Sequence, residues 1–386
     1  MLAYNYVGYV WAAMTTPFCR QVGIDFPIVA FSHCRDVVAA VSRAGGLGVF
    51  GAAKFTPEEL EIELAWIDAH VGGRPYGVDV LAPFPNDETD TPDIAALQAR
   101  IPAEHAAFVE EIAARHHVPP ATQGAQPRAF SGIIVNRRTL DRQIEIALSH
   151  PIRVLVSGLG PFSEGVVAQA RARGVLVGGL VGSVTHALRH VDSGADFIVA
   201  QGVEAAGHTG EISTMVLTPQ VVDAVAPKPV LAAGGIATGR QVAAALALGA
   251  QGVWMGSAWL TTEESDVDPI VIDKLLEAQS TQTLRTRCMT GKPVRLLRTP
   301  FEEAWNAPDA PAPLPAPLQG VLVLPFLNRV FQNRVTPLMG QAVGQAVGLL
   351  KQRRTCRATV DEIVNEMVDA LESARSRLAL TEDDPP

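Results

Sequence analysis

Basic residues are too few and too scattered in this chain to form a block. Lys and Arg number 31 against 40 Asp and Glu, and the net charge is −9. A chain of this balance offers no surface suited to a phosphate backbone or an anionic bilayer, so neither nucleic acid nor membrane is an expected partner. Cysteine is scarce as well. Cys19, Cys34, Cys288 and Cys356 lie far apart with no C-x-x-C pair, which argues against a zinc site or a disulfide framework and for a reducing cytoplasm. Beyond the N-terminal stretch MLAYNYVGYVWAAMTTPF there is no run of about 18 uncharged apolar residues, the length a membrane span needs. That stretch has no basic residue before Arg20. It lacks the charged start of a signal peptide and reads as an extension over 1–17. Also missing is a G-x-G-x-x-G leading from a first strand into a helix, the mark of an open dinucleotide-binding sheet.

What is present is a long alternation. The runs PIVAF, LGVFGA, YGVDVLA, RVLVSG, GVLVGGLV, ADFIVAQG, PVLAAGG and GVWMGS are mostly solid Val, Ile, Leu and Ala. Such runs suit parallel strands covered on both faces. Between them lie helix-like segments such as CRDVVAAVSRAG and GRQVAAALALGA. Eight strands alternating with helices predict an α/β fold, a closed (β/α)8 TIM barrel over 18–261. An internal echo supports the closed form: SGADFIVAQG and LGAQGVWMGS share a helix-ending glycine, a short strand and a closing glycine. A polar, partly helical insertion is expected after strand three, at about 83–150. A mainly helical C-terminal extension over 262–386 follows, broken by a Pro-rich loop at 307–317. Within it, TVDEIVNEMVDALESARSRLAL puts Val360, Ile363, Met367 and Leu371 on one helical face. That face would pack on the barrel or on a second subunit, which leaves a homo-oligomer open.

In barrels of this kind a ligand sits at the C-terminal strand ends, often with a phosphate at the loops after strands seven and eight. Here those loops are AAGGIATGR and MGSAW. Gly234, Gly235 and Gly256 let backbone N–H groups approach an anion, Ser257 adds a hydroxyl, and a helix opening at Thr238 or Gly239 would aim its positive end the same way. The other strand ends supply Phe31, Ser32, His33, Asp79, Ser157, Gly158 and Gln201. His186 and His190 are four apart on a helix, without an intervening acid, and a metal site is not expected.

VSRAGGLGVFGA, ADFIVAQGVEAAGHTG, VLAAGGIATGRQVAAALALGAQGVWMGSAWL and TGKPVRLLRT together resemble the nitronate monooxygenase family, formerly called 2-nitropropane dioxygenases. The resemblance covers most of residues 18–300. It implies noncovalent FMN, a nitronate or other small anion as substrate, and O2 as co-substrate. It further implies that the phosphate is held at Ala232, Gly234, Gly235, Gly256 and Ser257, that Gln201, Ala205, Ala206 and Gly207 line the flavin, and that His208 is catalytic. Two departures stand out. A Pro-Met pair common after the family's first strand is replaced by AFSHC, and a frequent Asn at the end of strand three is Asp79. The end of strand five, VGGLVG, also carries no Lys or Arg to neutralise a reduced flavin.

His208 is an imidazole among glycines and alanines. A neutral imidazole can take an acidic carbon-bound proton or hydrogen-bond an anion at neutral pH. Glu204, in the same loop, is better suited to a local cap or ion pair. Rival readings within the fold are an FMN-dependent enoyl or acyl-thioester reductase or dehydrogenase and an NAD(P)H:quinone reductase. A non-catalytic flavin-binding barrel is the rival of another class.

Overall fold

The computed structural model describes residues 15–82, 94–120 and 137–378. Most of the N-terminal extension, the acidic start of the insertion and the end of the chain lie outside the described residues.

The eight apolar runs form one closed parallel barrel. Its strands are β1 (Ile28–Ser32), β2 (Leu47–Gly51), β3 (Tyr76–Val80), β4 (Val154–Ser157), β5 (Leu176–Val181), β6 (Phe197–Gln201), β8 (Val230–Ala233) and β9 (Gly252–Met255), with β9 closing on β1. Between β6 and β8 lies a two-residue strand, β7 (Gly207–His208), outside the barrel. Alternate residues divide between two apolar layers. Val29, Leu47, Val49, Val154, Val156, Phe197, Val199, Leu231, Ala233 and Trp254 fill the lumen. Ile28, Ala30, Ala232, Val253 and Met255 pack outward against helices. Both layers are withdrawn from water, and each large side chain buried there stabilises the fold by about 1.5–3 kcal/mol.

The helix Pro17–Val22 plugs the lower end of the lumen. Phe18 and Cys19 are fully buried there, and Phe18 tilts against Phe197 with ring centroids 5.3 Å apart. The bottom is thus sealed by packing, and chemistry is left to the other end.

Two expectations change, and a third gains detail. The helix Arg137–Ser149 buries Leu140, Ile144 and Ala147 in the cluster that holds Leu60, Leu64 and Val78. Its Gln143 amide donates to Ala52 O and Phe55 O at 3.1 and 2.8 Å. It therefore belongs to the barrel's own helical layer, and the inserted stretch is shorter than 83–150. The C-terminal extension is not only helical: β10 (Thr283–Thr286) and β11 (Val294–Leu297) form an antiparallel pair. The last helix, Cys356–Arg377, buries Val360, Ile363 and Met367 as expected but leaves Leu371 39% exposed. It docks on Gly239–Ala247, where an added Cβ on Gly239 would lie 2.0 Å from Ile363 O. Among the described residues no helix is long and apolar enough to cross a membrane.

Candidate active site

Strand alternation decides which residues face the upper mouth of the lumen. Phe31 on β1 continues the inward series begun by Val29, and its ring stacks on Trp254 at 6.0 Å. Gly51 ends the inward series of β2. A Cβ there would strike the His33 ring at 2.6 Å and Phe31 Cε2 at 2.9 Å, so both rings occupy the inside of the mouth. Asp79, in register with Gly51, is 4% exposed, and its Oδ2 has no hydrogen-bond partner. Burial without a compensating cation pushes its carboxyl well above the usual carboxylate range. Gln201, inward at the end of β6, is half-buried.

Other candidates turn away. Ser32 Oγ accepts from Cys34 N at 3.1 Å. Ser157 follows the inward Val156, and its hydroxyl donates to Gly160 O at 2.5 Å. Ala232 packs its methyl in the outer layer. These three have only their backbones to offer a ligand at the mouth, because the pleat sends each side chain elsewhere.

The loops after β8 and β9 form a cradle. Gly234 and Gly235 have φ of +103° and +69°, a region that strains any side chain. A Cβ on Gly234 would also lie 2.8 Å from Thr214 Oγ1 and 3.0 Å from Gly202 O. Thr214 ties the loop after β6 to the loop after β8, its hydroxyl lying 3.0 Å from both Glu204 Oε2 and Gly234 O. Glu204 also accepts from Thr214 N at 2.9 Å and so caps the helix Thr214–Val225. Its carboxylate is thereby held by the scaffold. Ser257 Oγ accepts from Gly344 N at 2.9 Å, which leaves its own proton free to donate. The helix that starts at Gly239 is not open to an anion, however. Thr238 and Gln241 form its capping box, and Gly239 N donates to Glu366 at 2.8 Å.

His208 departs most from the loop expected for it. As part of β7 it pairs antiparallel with β11, opposite Val294, with Gly207 opposite Arg295. Its Nε2 lies 2.8 Å from Thr290 Oγ1. The surrounding loop is strapped down by two guanidinium groups. Arg295 Nε donates to Val203 O at 3.0 Å, and Arg285 Nε donates to Thr209 Oγ1 at 3.2 Å. Gly207, at φ +69°, has open space where a side chain would stand. The His208 ring is exposed yet crowded by this small sheet. Crowding, and then the Lys292 ammonium, lower its pKa below the usual 6.5. Thr290, Arg285, Arg295 and Gly344 had not been singled out in the sequence. For Thr290 and Arg295 the signal was TGKPVRLLRT, whose middle is β11; Arg285 and Gly344 lie outside it.

Residues 21–369 match the family described as nitronate monooxygenase. A Mycobacterium tuberculosis (strain ATCC 25618 / H37Rv) protein, provisionally named a monooxygenase, is 48% identical over 93% of this chain and 98% of its own. A Staphylococcus haemolyticus (strain JCSC1435) protein, provisionally named a nitronate monooxygenase, is 31% identical over 78% of this chain and 83% of its own. Among solved structures, nitroalkane oxidase from Streptomyces ansochromogenes is 28% identical with a TM-score of 0.76, over 91% of this chain and 98% of that one. FabK from Thermotoga maritima is 25% identical with a TM-score of 0.72, over 95% and 100%.

Proposed function

This chain belongs to the nitronate monooxygenase family and is an oxidoreductase, and we propose that it is a cytoplasmic, FMN-dependent enzyme that oxidatively denitrifies alkyl nitronates or propionate-3-nitronate with O2. One observation carries the reading: the C-terminal extension supplies a strand and a hydroxyl that hold His208, in a loop whose Glu204 and Ala205 lie against the glycine cradle, at the end of the barrel where ligands bind.

The residues at the mouth fit the mononucleotide. Gly234, Gly235 and Gly256 would present backbone N–H groups to its phosphate and Ser257 its hydroxyl, while the unpartnered Asp79 Oδ2 awaits a polar edge inside the mouth. FMN bound there would supply the electron acceptor between the substrate carbon and O2. His208 holds the proton. Thr290 Oγ1 lies 3.3 Å from Lys292 N and 3.4 Å from Lys292 O. A hydroxyl that accepts from Lys292 N and donates to Lys292 O accepts its remaining bond from Nε2–H of His208. Nδ1 then keeps the lone pair and takes the carbon-bound proton of a nitroalkane, or orients the anion once it has formed.

This assignment sets a pH dependence. The base must be neutral, so kcat/KM for nitroethane falls as pH drops through the His208 pKa. That pKa is lowered, which places the midpoint of the acidic limb below 6.5. Lys292→Met removes a like charge and shifts the midpoint upward. A limb centred above 6.5, or one that Lys292→Met leaves in place, contradicts the assignment.

Oxygen uptake by the FMN-loaded protein with ethyl nitronate and propionate-3-nitronate tests the proposal itself. The likeness to FabK keeps a reductase as the second reading. Anaerobic mixing with NADH or NADPH separates the two. Rapid bleaching of the flavin by the nucleotide, with no oxygen uptake on nitronates, favours the reductase.

A further inference from the structure

The side of the mouth across from His208 carries a second imidazole. In the barrel order β1-β2-β3-β4-β5-β6-β8-β9, the strand opposite β6 is β2. His208 follows β6, and the His33 ring lies over Gly51 at the end of β2. Its place is fixed by packing. The lumen-facing position of Gly51 has no side chain, and the space that one would fill holds His33 Nδ1 and Cε1, each 2.6 Å from the ideal Cβ. Phe31 meets the His33 ring edge-on at 5.1 Å, so the two rings together form this wall.

The orientation of His33 is fixed. Nδ1 lies 2.7 Å from Gly51 O. A carbonyl oxygen only accepts, so Nδ1 carries a hydrogen, and in the neutral ring the lone pair is on Nε2. Among the described residues Nε2 meets no hydrogen-bond partner, and the ring is only half-buried. We infer that His33 is a substrate-contacting residue whose Nε2 accepts a hydrogen bond from a small anionic ligand bearing an O–H or N–H donor at the end remote from its charge. Burial and the Lys54 ammonium lower the His33 pKa to about 3, so the ring stays neutral across the working pH range. The two imidazoles thus divide their roles: His208 handles the acidic proton, and His33 reads a donor.

The inference rests on the barrel mouth being the ligand site, but not on nitronate turnover. Binding of redox-inert carboxylates to the FMN-loaded protein therefore tests it, read as a perturbation of the flavin absorption bands. 3-Hydroxypropionate and butyrate differ by a hydroxyl in place of a methyl, as do 4-hydroxybutyrate and valerate. The wild type should bind the hydroxylated member of at least one pair about tenfold more tightly, the worth of one hydrogen bond to a neutral acceptor. His33→Phe keeps a planar ring and should abolish that preference while leaving butyrate affinity within about twofold. His33→Gln should restore part of it. A wild type without preference for either hydroxylated acid overturns the inference, and so does a preference that survives in His33→Phe. If the preference follows His33 but nitronates elicit no oxygen uptake, His33 keeps its role and the nitronate reading fails instead.

Discussion

His208→Asn should leave the protein yellow and lower kcat/KM for nitroethane by about two to four orders of magnitude, the usual contribution of a positioned general base. Asparagine preserves polarity and approximate size, and β7 is held by backbone pairing to β11, so the loop geometry should survive. What disappears is the lone pair that takes the carbon-bound proton. With ethyl nitronate formed beforehand, no such proton remains to be removed. The loss should then shrink to about tenfold, that of a single orienting hydrogen bond. Steady-state oxygen uptake with the two substrates side by side measures this difference directly. Equal losses on both would remove His208 from proton transfer and leave it only an anion-binding role.

Gly239→Ala should destabilise the protein by about 3 kcal/mol or more, a large effect for one methyl group. The new Cβ would stand 2.0 Å from Ile363 O and 2.3 Å from Met367 N. Both are backbone atoms inside a helix, so no rotamer change relieves the clash. The final helix must move away from Gly239–Ala247. That withdraws Val360, Ile363 and Met367 from the outer layer and breaks the bond from Gly239 N to Glu366. Urea unfolding followed by circular dichroism should show a clearly lower midpoint. An unchanged midpoint would mean that the last helix contributes little to the barrel. Residues in the same helix but away from the contact, such as Glu372, should tolerate alanine within about 0.5 kcal/mol.

The sequence was most informative where both faces of a strand are buried. LGVFGA reads as a strand because every residue of β2 is withdrawn from water, and in ADFIVAQG the same holds for every residue of β6 but Gln201. That uniformity hides the pleat. With apolar residues on both faces, nothing in VLVS or VLAA says which side chains point into the lumen, so Ser157 and Ala232 stood among the candidates although their side chains turn away. The small sheet was illegible for another reason. β10 and β11 have four residues each, β7 has two, and TLRT and VRLL show too few periods to declare themselves. What stabilises them is partnership over a long sequence distance, including the bond from Arg295 to Val203. A histidine among glycines therefore looked loose in the sequence and is strapped in the fold. The carboxylate that caps the helix at Gly239 comes from Glu366, and no local pattern announces it.

The proposed function requires that a flavin mononucleotide seat its phosphate between Gly234–Gly235 and Gly256–Ser257. The most direct measurement is titration of the flavin-free protein with FMN, followed by visible absorption and flavin fluorescence, alongside the Gly235→Asp variant, whose carboxylate would repel the phosphate and strain a positive-φ position. The wild type should take up one FMN per chain with shifted absorption bands, and the variant should bind at least a hundredfold more weakly (about 2.7 kcal/mol at 1.36 kcal/mol per tenfold). A wild type that stays colourless with excess FMN, or a variant that binds FMN as tightly as the wild type, would contradict the claim.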